Sequence, residues 1–229
     1  MSPIFAVIFD LDGTLLDTIE DITAASNRVY EALGLGSFTN DEMKTLVGDG
    51  AEELIRRVYA RRGRPAPSES VIAGVLDDYR REYQARWRDN SRPYDGVPEL
   101  LAGLRRRGLK TAVLSNKSEL FTAAQVSALL PGHGFDIVRG ARPGGPLKPD
   151  PAPALDIAAG LGVSPRECAF VGDTNVDMAT AKAAGMFAVG ALWGFRAADE
   201  LRRHGADALI AAPADLLDLV ARPPDGGSR

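Results

Sequence analysis

Two carboxylates follow the first apolar segment of the chain. The run Ile4–Phe9 leads directly into Asp10-Leu11-Asp12-Gly13-Thr14. Glycine lets the backbone turn sharply there, so that backbone N–H groups can point at an anion. One carboxylate at such a turn can attack phosphorus and form an acyl phosphate, while a second protonates the leaving alkoxide and then deprotonates water. Because Asp and Gly are also common in capped turns, the pentapeptide by itself leaves both interpretations open.

Two further segments carry groups that can bind a phosphoryl group. Ser115-Asn116-Lys117 follows the apolar run Thr111–Leu114, and hydroxyl, amide and N–H groups before a helix make an anion site. Taken alone, an ordinary helix N-cap is the better explanation of the serine. Lys148 precedes two prolines that stiffen its loop, and its ammonium can neutralise phosphate charge during phosphoryl transfer. A surface lysine in a turn is the simpler alternative.

A second pair of carboxylates occurs late in the chain. Gly172-Asp173-Thr174-Asn175-Val176-Asp177 places two aspartates four residues apart where an apolar run gives way to a helical pattern. Magnesium prefers oxygen ligands, with a few from the protein and the rest from water and phosphate. Capping of the helix by Asp173, with Asp177 in its first turn, is the structural alternative, and the two roles can coexist.

The elements that must position these residues alternate between short apolar runs and helical patterns. Continuous apolar runs indicate strands that are covered on both faces, as in a parallel sheet. The predicted strands lie within Ile4–Phe9, Thr111–Leu114, Cys168–Val171, Phe187–Val189 and Ala208–Ile210. The predicted helices are Val97–Arg107, Ala154–Ala159 ending at Gly160, and Val176–Ala184 ending at Gly185. This alternation predicts a doubly wound, Rossmann-like α/β core whose polar residues gather at the carboxyl ends of the strands.

The segment 18–92 interrupts that rhythm and predicts an all-helical insert within a core formed by 1–17 and 93–229. Three helices are expected there, at Ile19–Leu33, Ala51–Arg62 and Val71–Trp87. The insert has twelve Lys and Arg against thirteen Asp and Glu, so it is not a basic surface for nucleic acid.

Composition and net charge argue against several classes of protein. The chain has 229 residues and a formal net charge of −4, which gives no bias toward nucleic acid or anionic membranes. No apolar stretch approaches the roughly 20 residues of a spanning helix. The start of the chain has no secretion pattern and Cys168 has no partner for an internal disulfide, so we expect a cytoplasmic protein, a monomer or homodimer. The tail from Arg222 has the composition of a disordered end.

The four motifs in this order resemble those of the haloacid dehalogenase-like hydrolase superfamily, and the insert resembles its small helical cap. The motifs are Asp10 to Thr18, Ser115 to Lys117, Lys148 to Pro151, and Gly172 to Asp177. Dehalogenating members usually lack a carboxylate two residues after the nucleophile. The presence of Asp12 therefore favours phosphate chemistry.

The resemblance implies a Mg²⁺-dependent phosphatase that acts on a small phosphate ester. Asp10 would be the nucleophile and a metal ligand, Asp12 the general acid and base with its carbonyl on the metal, and Asp173 a further metal ligand. The implied phosphate-binding residues are Leu11, Ser115, the Asn116 backbone and Lys148. Thr14 and Asp177 would support the site, the latter through water or through Lys148.

Two further segments resemble phosphoglycolate phosphatases within the superfamily. They are Gly48-Asp49-Gly50 in the insert, the candidate specificity loop, and Trp193-Gly194-Phe195 after a predicted strand. A flexible turn before a helix is the alternative explanation of Gly48 and Gly50, and packing in the core is the alternative explanation of Trp193. The resemblance favours 2-phosphoglycolate as substrate, with another small metabolite or a sugar phosphomutase reaction as alternatives. A phospho-accepting receiver module also uses an Asp, a hydroxyl residue and a Lys, but it lacks a large insert and a late Gly-Asp-x-x-x-Asp turn.

Overall fold

The chain forms its first strand, builds a helical unit, and then returns to complete a parallel sheet. The computed structural model describes residues 3–220, so the predicted disordered end from Arg222 lies outside the described residues. The chain divides into two units. One contains the residues up to Leu15 and those from Pro93 onward, and the other is Leu16–Arg92.

The predicted α/β core is confirmed by a six-stranded sheet in the order β5-β4-β1-β6-β7-β8, whose paired strands are all parallel. The strands are β1 (Ala6–Phe9), β2 (Leu16–Asp17), β3 (Arg92–Pro93), β4 (Lys110–Ser118), β5 (Ile137–Ala141), β6 (Cys168–Gly172), β7 (Phe187–Ala191) and β8 (Ala208–Ile210). Strand β1 is buried along its whole length between β4 and β6, which explains its unbroken apolar sequence. Strands β2 and β3 form a separate two-stranded sheet.

The helices follow the strands as expected for a doubly wound fold. They are α1 (Ile19–Ala32), α2 (Asn40–Leu46), α3 (Ala51–Arg61), α4 (Glu69–Arg86), α5 (Val97–Arg106), α6 (Glu119–Leu129), α7 (Ala152–Leu161), α8 (Asn175–Ala183), α9 (Ala198–Arg203) and α10 (Asp215–Leu219). Helices α7 and α8 cover one face of the sheet, where Ile157 and Met178 pack in a buried cluster with Ile8 and Phe170. Within residues 3–220 the structure contains no helix that is both long and apolar enough to cross a membrane.

Strand β5 and the end of helix α7 differ from the sequence-based prediction. Strand β5 was not predicted because its residues are mostly half-buried and include Arg139, so it has no continuous apolar run. Helix α7 does not end at Gly160 but continues to Leu161, and Gly162 ends it with a φ of 66°. A glycine inside a helix costs only about 1 kcal/mol relative to alanine, whereas the left-handed conformation after the helix favours glycine strongly.

The helical unit contains the three predicted helices and a fourth that was missed, α2. Helix α2 is only seven residues long, and a capping box starts it: the Thr39 hydroxyl accepts a hydrogen bond from the Glu42 N–H, and the Glu42 carboxylate accepts one from the Thr39 N–H. The Thr-x-x-Glu spacing was the available signal. In α3, the predicted apolar face is confirmed, because Leu54, Ile55 and Val58 are buried.

A buried carboxylate holds the two ends of the helical unit together. Asp21, in the first turn of α1, is 1% exposed. It accepts hydrogen bonds from the backbone N–H and side-chain amide of Asn90, each at 3.0 Å, and from the N–H and hydroxyl of Ser91 at 2.8 and 2.7 Å. The start of α1 is therefore fixed to the segment that precedes β3.

Candidate active site

The sheet brings the predicted site residues to one edge. Because β1 pairs in parallel with both β4 and β6, Phe9 lies opposite Val113 and Val171, and the three strands run toward the same edge of the sheet. Asp10 and Asp173 directly follow β1 and β6, and Ser115 lies in β4, two residues after Val113. The Asp10 N–H donates to the Val171 carbonyl at 2.9 Å, which fixes the start of the first motif against β6.

Lys148 joins two of the aspartates in a buried ion-pair network. Its Nζ lies 2.7 Å from Asp10 Oδ1 and 2.6 Å from Asp177 Oδ1. The other oxygen of Asp177 accepts hydrogen bonds from the Thr174 hydroxyl at 2.6 Å and the Thr174 N–H at 3.0 Å. The N-cap residue of α8 is Thr174 and not Asp173, so the capping explanation of Asp173 was wrong. Asp177 completes the capping box from the first turn and also holds Lys148 beside Asp10.

The charges of this network perturb one another strongly. Burial, with the charges of Asp177 and Asp173, raises the pKa of Asp10 well above its ordinary value although Lys148 lowers it. Burial, followed by the charge of Asp177, raises the pKa of Asp173 to about 7. Burial lowers the pKa of Lys148, but the charges of Asp10 and Asp177 together raise it above its ordinary value. Perturbed groups of this kind concentrate at functional sites.

Asp173 is held from two sides. The Thr14 hydroxyl donates to Asp173 Oδ1 at 2.8 Å, and the Phe195 N–H donates to Oδ2 at 2.8 Å. Two glycines make room for it: a Cβ on Gly13 would lie 2.3 Å from Asp173 Oδ2, and one on Gly194 would lie 2.2 Å from Asp173 Cβ. The loop after β7 thus reaches the carboxylate only because residue 194 has no side chain.

Asp10, Asp173 and Asp177 form a candidate cation site. All three are buried, and one carboxylate oxygen from each lies within 4.8 Å of the others. Lys148 balances one of these three carboxylates, so the fully ionised cluster carries two excess negative charges in a place that water screens poorly. A divalent cation with oxygen ligands fits this charge and donor set.

Asn116 and Ser115 lie in the strand rather than in front of a helix. Strand β4 continues to Ser118 with a register shift after Leu114, so the predicted strand end and the helix-cap explanation of Ser115 were wrong. The Asn116 side chain pairs with the Lys148 backbone, donating to its carbonyl at 2.9 Å and accepting from its N–H at 2.8 Å. The Ser115 hydroxyl accepts from the Lys117 N–H at 3.1 Å.

Lys117 is a residue of this edge whose contact the sequence did not reveal. Its Nζ lies 2.5 Å from Asp12 Oδ1 and 2.7 Å from Gln125 Oε1. Because Lys117 and Asp12 are far apart in the chain, no local sequence spacing predicts their contact. Leu11, between the two motif aspartates, has a buried side chain, and its carbonyl accepts from the Leu15 N–H at 3.0 Å, which shapes the turn.

The candidate specificity loop Gly48-Asp49-Gly50 belongs to the helical unit. Gly48 and Gly50 have φ values of 130° and 93°, so this turn requires glycine, and α3 begins directly after it. Asp49 Oδ2 lies 2.5 Å from Arg57 Nη2, and Arg57 also donates to the Leu46 carbonyl at 3.0 Å. The aspartate therefore orders the loop through Arg57.

An aspartate held beside a buried lysine and further carboxylates, at the carboxyl edge of a parallel sheet, is typical of hydrolases that act on anionic substrates with a bound cation. The sequence profile of haloacid dehalogenase-like hydrolases matches residues 7–191, and the chain belongs to that family.

Full-length relatives agree with this assignment. The chain is 31% identical over 214 residues to a phosphoglycolate phosphatase of Aquifex aeolicus, covering 93% of this chain and 95% of the relative. It is 31% identical over 224 residues to a phosphoglycolate phosphatase of Thiobacillus denitrificans, covering 96% and 97%. A crystal structure of a predicted phosphoglycolate phosphatase from Haemophilus somnus superposes with a TM-score of 0.86 at 26% identity, covering 96% and 99%. The prediction of a phosphatase enzyme is confirmed, and the receiver-module alternative is excluded.

Proposed function

We propose that this enzyme is a Mg²⁺-dependent phosphatase that hydrolyses 2-phosphoglycolate through a phospho-aspartate at Asp10. The observation that carries the proposal is the setting of Asp10. It touches Lys148 at 2.7 Å and shares the carboxylate cluster, yet it retains 7% exposure while Asp173 and Asp177 have none. A nucleophile must be both charge-balanced and reachable, and Asp10 meets both conditions.

In the first step, an Asp10 carboxylate oxygen attacks phosphorus and the ester P–O bond breaks. The alkoxide that leaves takes a proton from Asp12, whose side chain is 18% exposed and can therefore reach it. Lys148 balances negative charge on the phosphoryl oxygens during the transfer, and Asn116 keeps Lys148 in place through its paired backbone contacts. Ser115 and the backbone N–H groups of Leu11 and Asn116 hold the remaining phosphoryl oxygens.

In the second step, Asp12 accepts a proton from water as the water oxygen attacks the same phosphorus. The acyl–phosphate bond breaks, which regenerates the Asp10 carboxylate and releases inorganic phosphate. One residue thus serves as acid and then as base, as the two half-reactions require.

The cation would be held by the carboxylates of Asp10 and Asp173 and by the backbone carbonyl of Asp12. Asp177 takes a supporting place because Lys148 and Thr174 occupy its oxygens. A bound Mg²⁺ supplies electrostatic stabilisation of the transferring phosphoryl group. The carboxylate cluster and its excess negative charge support this part of the proposal.

The substrate assignment rests on the phosphoglycolate phosphatases that the chain resembles and on the loop Gly48-Asp49-Gly50. We propose that residues 18–92 act as a cap on a core of 1–17 and 93–229, and that backbone N–H groups of this loop bind the carboxylate of phosphoglycolate. Asp49 would repel that carboxylate, but Arg57 at 2.5 Å balances its charge.

A panel of small phosphate esters, assayed for phosphate release with and without Mg²⁺, tests the proposal. We expect 2-phosphoglycolate to rank among the best substrates in kcat/KM, phosphopeptides to be inert, and EDTA to abolish turnover. A hexose phosphate or nucleotide that exceeds phosphoglycolate by a wide margin would overturn the substrate assignment. Conversion of a sugar phosphate without net phosphate release would indicate a mutase instead.

Variants of the loop sharpen this test. Gly48→Val should lower kcat/KM for phosphoglycolate while sparing an aryl phosphate. Gly63→Val is the control, because Gly63 lies in the same unit, also has a positive φ, of 62°, and has open space around its Cβ position. Equal effects of both variants on phosphoglycolate would contradict a role of the loop in recognition.

A further inference from the structure

The carboxylate of Asp12 is held by the ammonium group of Lys117. Lys117 Nζ lies 2.5 Å from Asp12 Oδ1, and the two side chains are 9% and 18% exposed. Charge-assisted hydrogen bonds of this length are the stronger ones and fix the direction of both partners. Asp12 lies in the turn between β1 and β2.

Lys117 is itself fixed at both ends. Its N–H donates to the Ser115 hydroxyl at 3.1 Å, and its carbonyl accepts from the Thr122 hydroxyl at 3.1 Å. Its ammonium also lies 2.7 Å from Oε1 of Gln125, which is fully buried on α6. The amide oxygen of Gln125 therefore holds the lysine side chain in the direction of Asp12.

We infer that Lys117, secured by Gln125, is a positioning residue that keeps the Asp12 carboxylate in line for proton transfer to the leaving group and from water. This inference rests on the proposed function, because it gives Lys117 its effect through the acid and base role of Asp12. Lys148 already balances the charge of Asp10, and the Lys117 ammonium is directed instead at the neighbouring carboxylate. A misplacement of about 1 Å in a reacting group costs roughly 10²-fold in rate.

The test compares Lys117→Met with wild type on 2-phosphoglycolate, an alkyl ester, and p-nitrophenyl phosphate, an aryl ester whose leaving group needs little protonation. We expect the rate of leaving-group release in the first turnover to fall roughly 10- to 100-fold for the alkyl ester and less than about 3-fold for the aryl ester, with little change in KM. Steady-state kcat should fall for both esters, because Asp12 also activates water in the step that they share. Lys117→Arg should restore part of the alkyl activity, because it keeps the charge. Gln125→Leu should give a smaller loss of the same alkyl-specific kind.

Two controls make the result decisive. Lys182→Met removes an ammonium from an ion pair with Asp207 on the same unit and should leave both rates unchanged. In an Asp12→Asn background, Lys117→Met should cost nothing further, since its effect passes through Asp12.

Three results would overturn the inference while leaving the phosphatase proposal intact: equal first-turnover losses on both esters, a rise in KM with unchanged kcat, or a full additional loss in the Asp12→Asn background. If Lys117→Met fails to fold, Gln125→Leu carries the same comparison, and unchanged alkyl activity there contradicts the inference. A wild-type enzyme that releases phosphate from neither ester overturns the proposed function and the inference together.

Discussion

Lys148 Nζ and Asp177 Oδ1 lie 2.6 Å apart in a place where the two side chains are only 2% and 0% exposed. A buried ion pair contributes little net stability compared with an apolar pair, but breaking it leaves an uncompensated charge. The ion pair joins the motif that begins at Lys148 to the motif that ends at Asp177. Lys148 also lies 2.7 Å from Asp10. The stability of the core and the charge balance of the proposed nucleophile therefore depend on the same ammonium group.

Removal of that ammonium should be costly even in the absence of substrate. We expect Lys148→Met to lower the free energy of unfolding in EDTA by roughly 3–5 kcal/mol, because buried carboxylates lose their counter-charge. The exposed pair of Lys182 with Asp207 provides the control, and Lys182→Met should cost at most about 1 kcal/mol. Similar small losses for both variants, measured by urea unfolding, would show that Lys148 does not balance buried charge.

Gly194 should be required for its small size. Gly194→Ala would place a Cβ 2.2 Å from Asp173 Cβ and 2.4 Å from the Gly13 carbonyl oxygen. The loop or Asp173 must then move, and we expect a stability loss of roughly 1–3 kcal/mol together with a large loss of phosphatase activity.

The matched control is Gly74→Ala on α4, where a Cβ meets nothing within 4 Å. It should be neutral or stabilising by up to about 1 kcal/mol, since alanine is the better helix former. Full activity of Gly194→Ala would contradict the close approach of the loop to Asp173.

Local sequence pattern predicted most of the fold because buried strands and capped helices leave local signals. Strand β1 is an unbroken apolar run, and α1 and α5 are each followed by a glycine with positive φ. The half-buried β5 and the short α2 gave weaker signals, although Thr39 and Glu42 marked the start of α2. Pattern could not set the end of α7, since Gly160 and Gly162 look alike until the backbone conformation is known.

The residues of the candidate site also divide into those with a local sequence signal and those without one. The motif residues at strand ends could be named in advance, because parallel strands bring their carboxyl ends together. The contacts that position them join distant segments: Lys117 and Asp12 are 105 residues apart, and Asp21 is 69 residues from Asn90. No sequence spacing encodes such pairs, and only the folded chain reveals them.

Asp21 should be a main determinant of the stability of the helical unit. Asp21→Ala leaves the N–H groups of Asn90 and Ser91 without their acceptor, at roughly 1–3 kcal/mol for each unsatisfied buried donor. The control is Asp41→Ala, whose side chain is 92% exposed and pairs with Lys44 at the surface. We expect a loss of at least about 2 kcal/mol for the first variant and at most about 1 kcal/mol for the second, by urea unfolding. Equal losses would contradict the conclusion that Asp21 holds the two ends of the helical unit together.

Mg²⁺ should stabilise the folded enzyme through the carboxylate cluster. A cation at 100 times its Kd adds about 2.7 kcal/mol to the free energy of unfolding, and this raises Tm by several degrees. Asp173→Asn should lose most of the shift. Asp199→Asn, which alters an 86% exposed carboxylate paired with Arg202, should keep it. A shift that survives in Asp173→Asn would place the cation elsewhere.

The proposed mechanism depends most directly on the phosphorylation of Asp10, and one trapping measurement tests whether it occurs. Asp12→Asn should still transfer phosphate from p-nitrophenyl phosphate, whose leaving group needs little protonation, but should activate water poorly. The phospho-aspartate should therefore accumulate in a burst close to one equivalent of nitrophenol. Acid quenching, borohydride reduction and peptide mass spectrometry should then find homoserine at position 10, and the Asp10→Asn/Asp12→Asn double variant should give neither burst nor product. Reduction at any other residue, or nitrophenol release without a burst and without modification of Asp10, would contradict the mechanism.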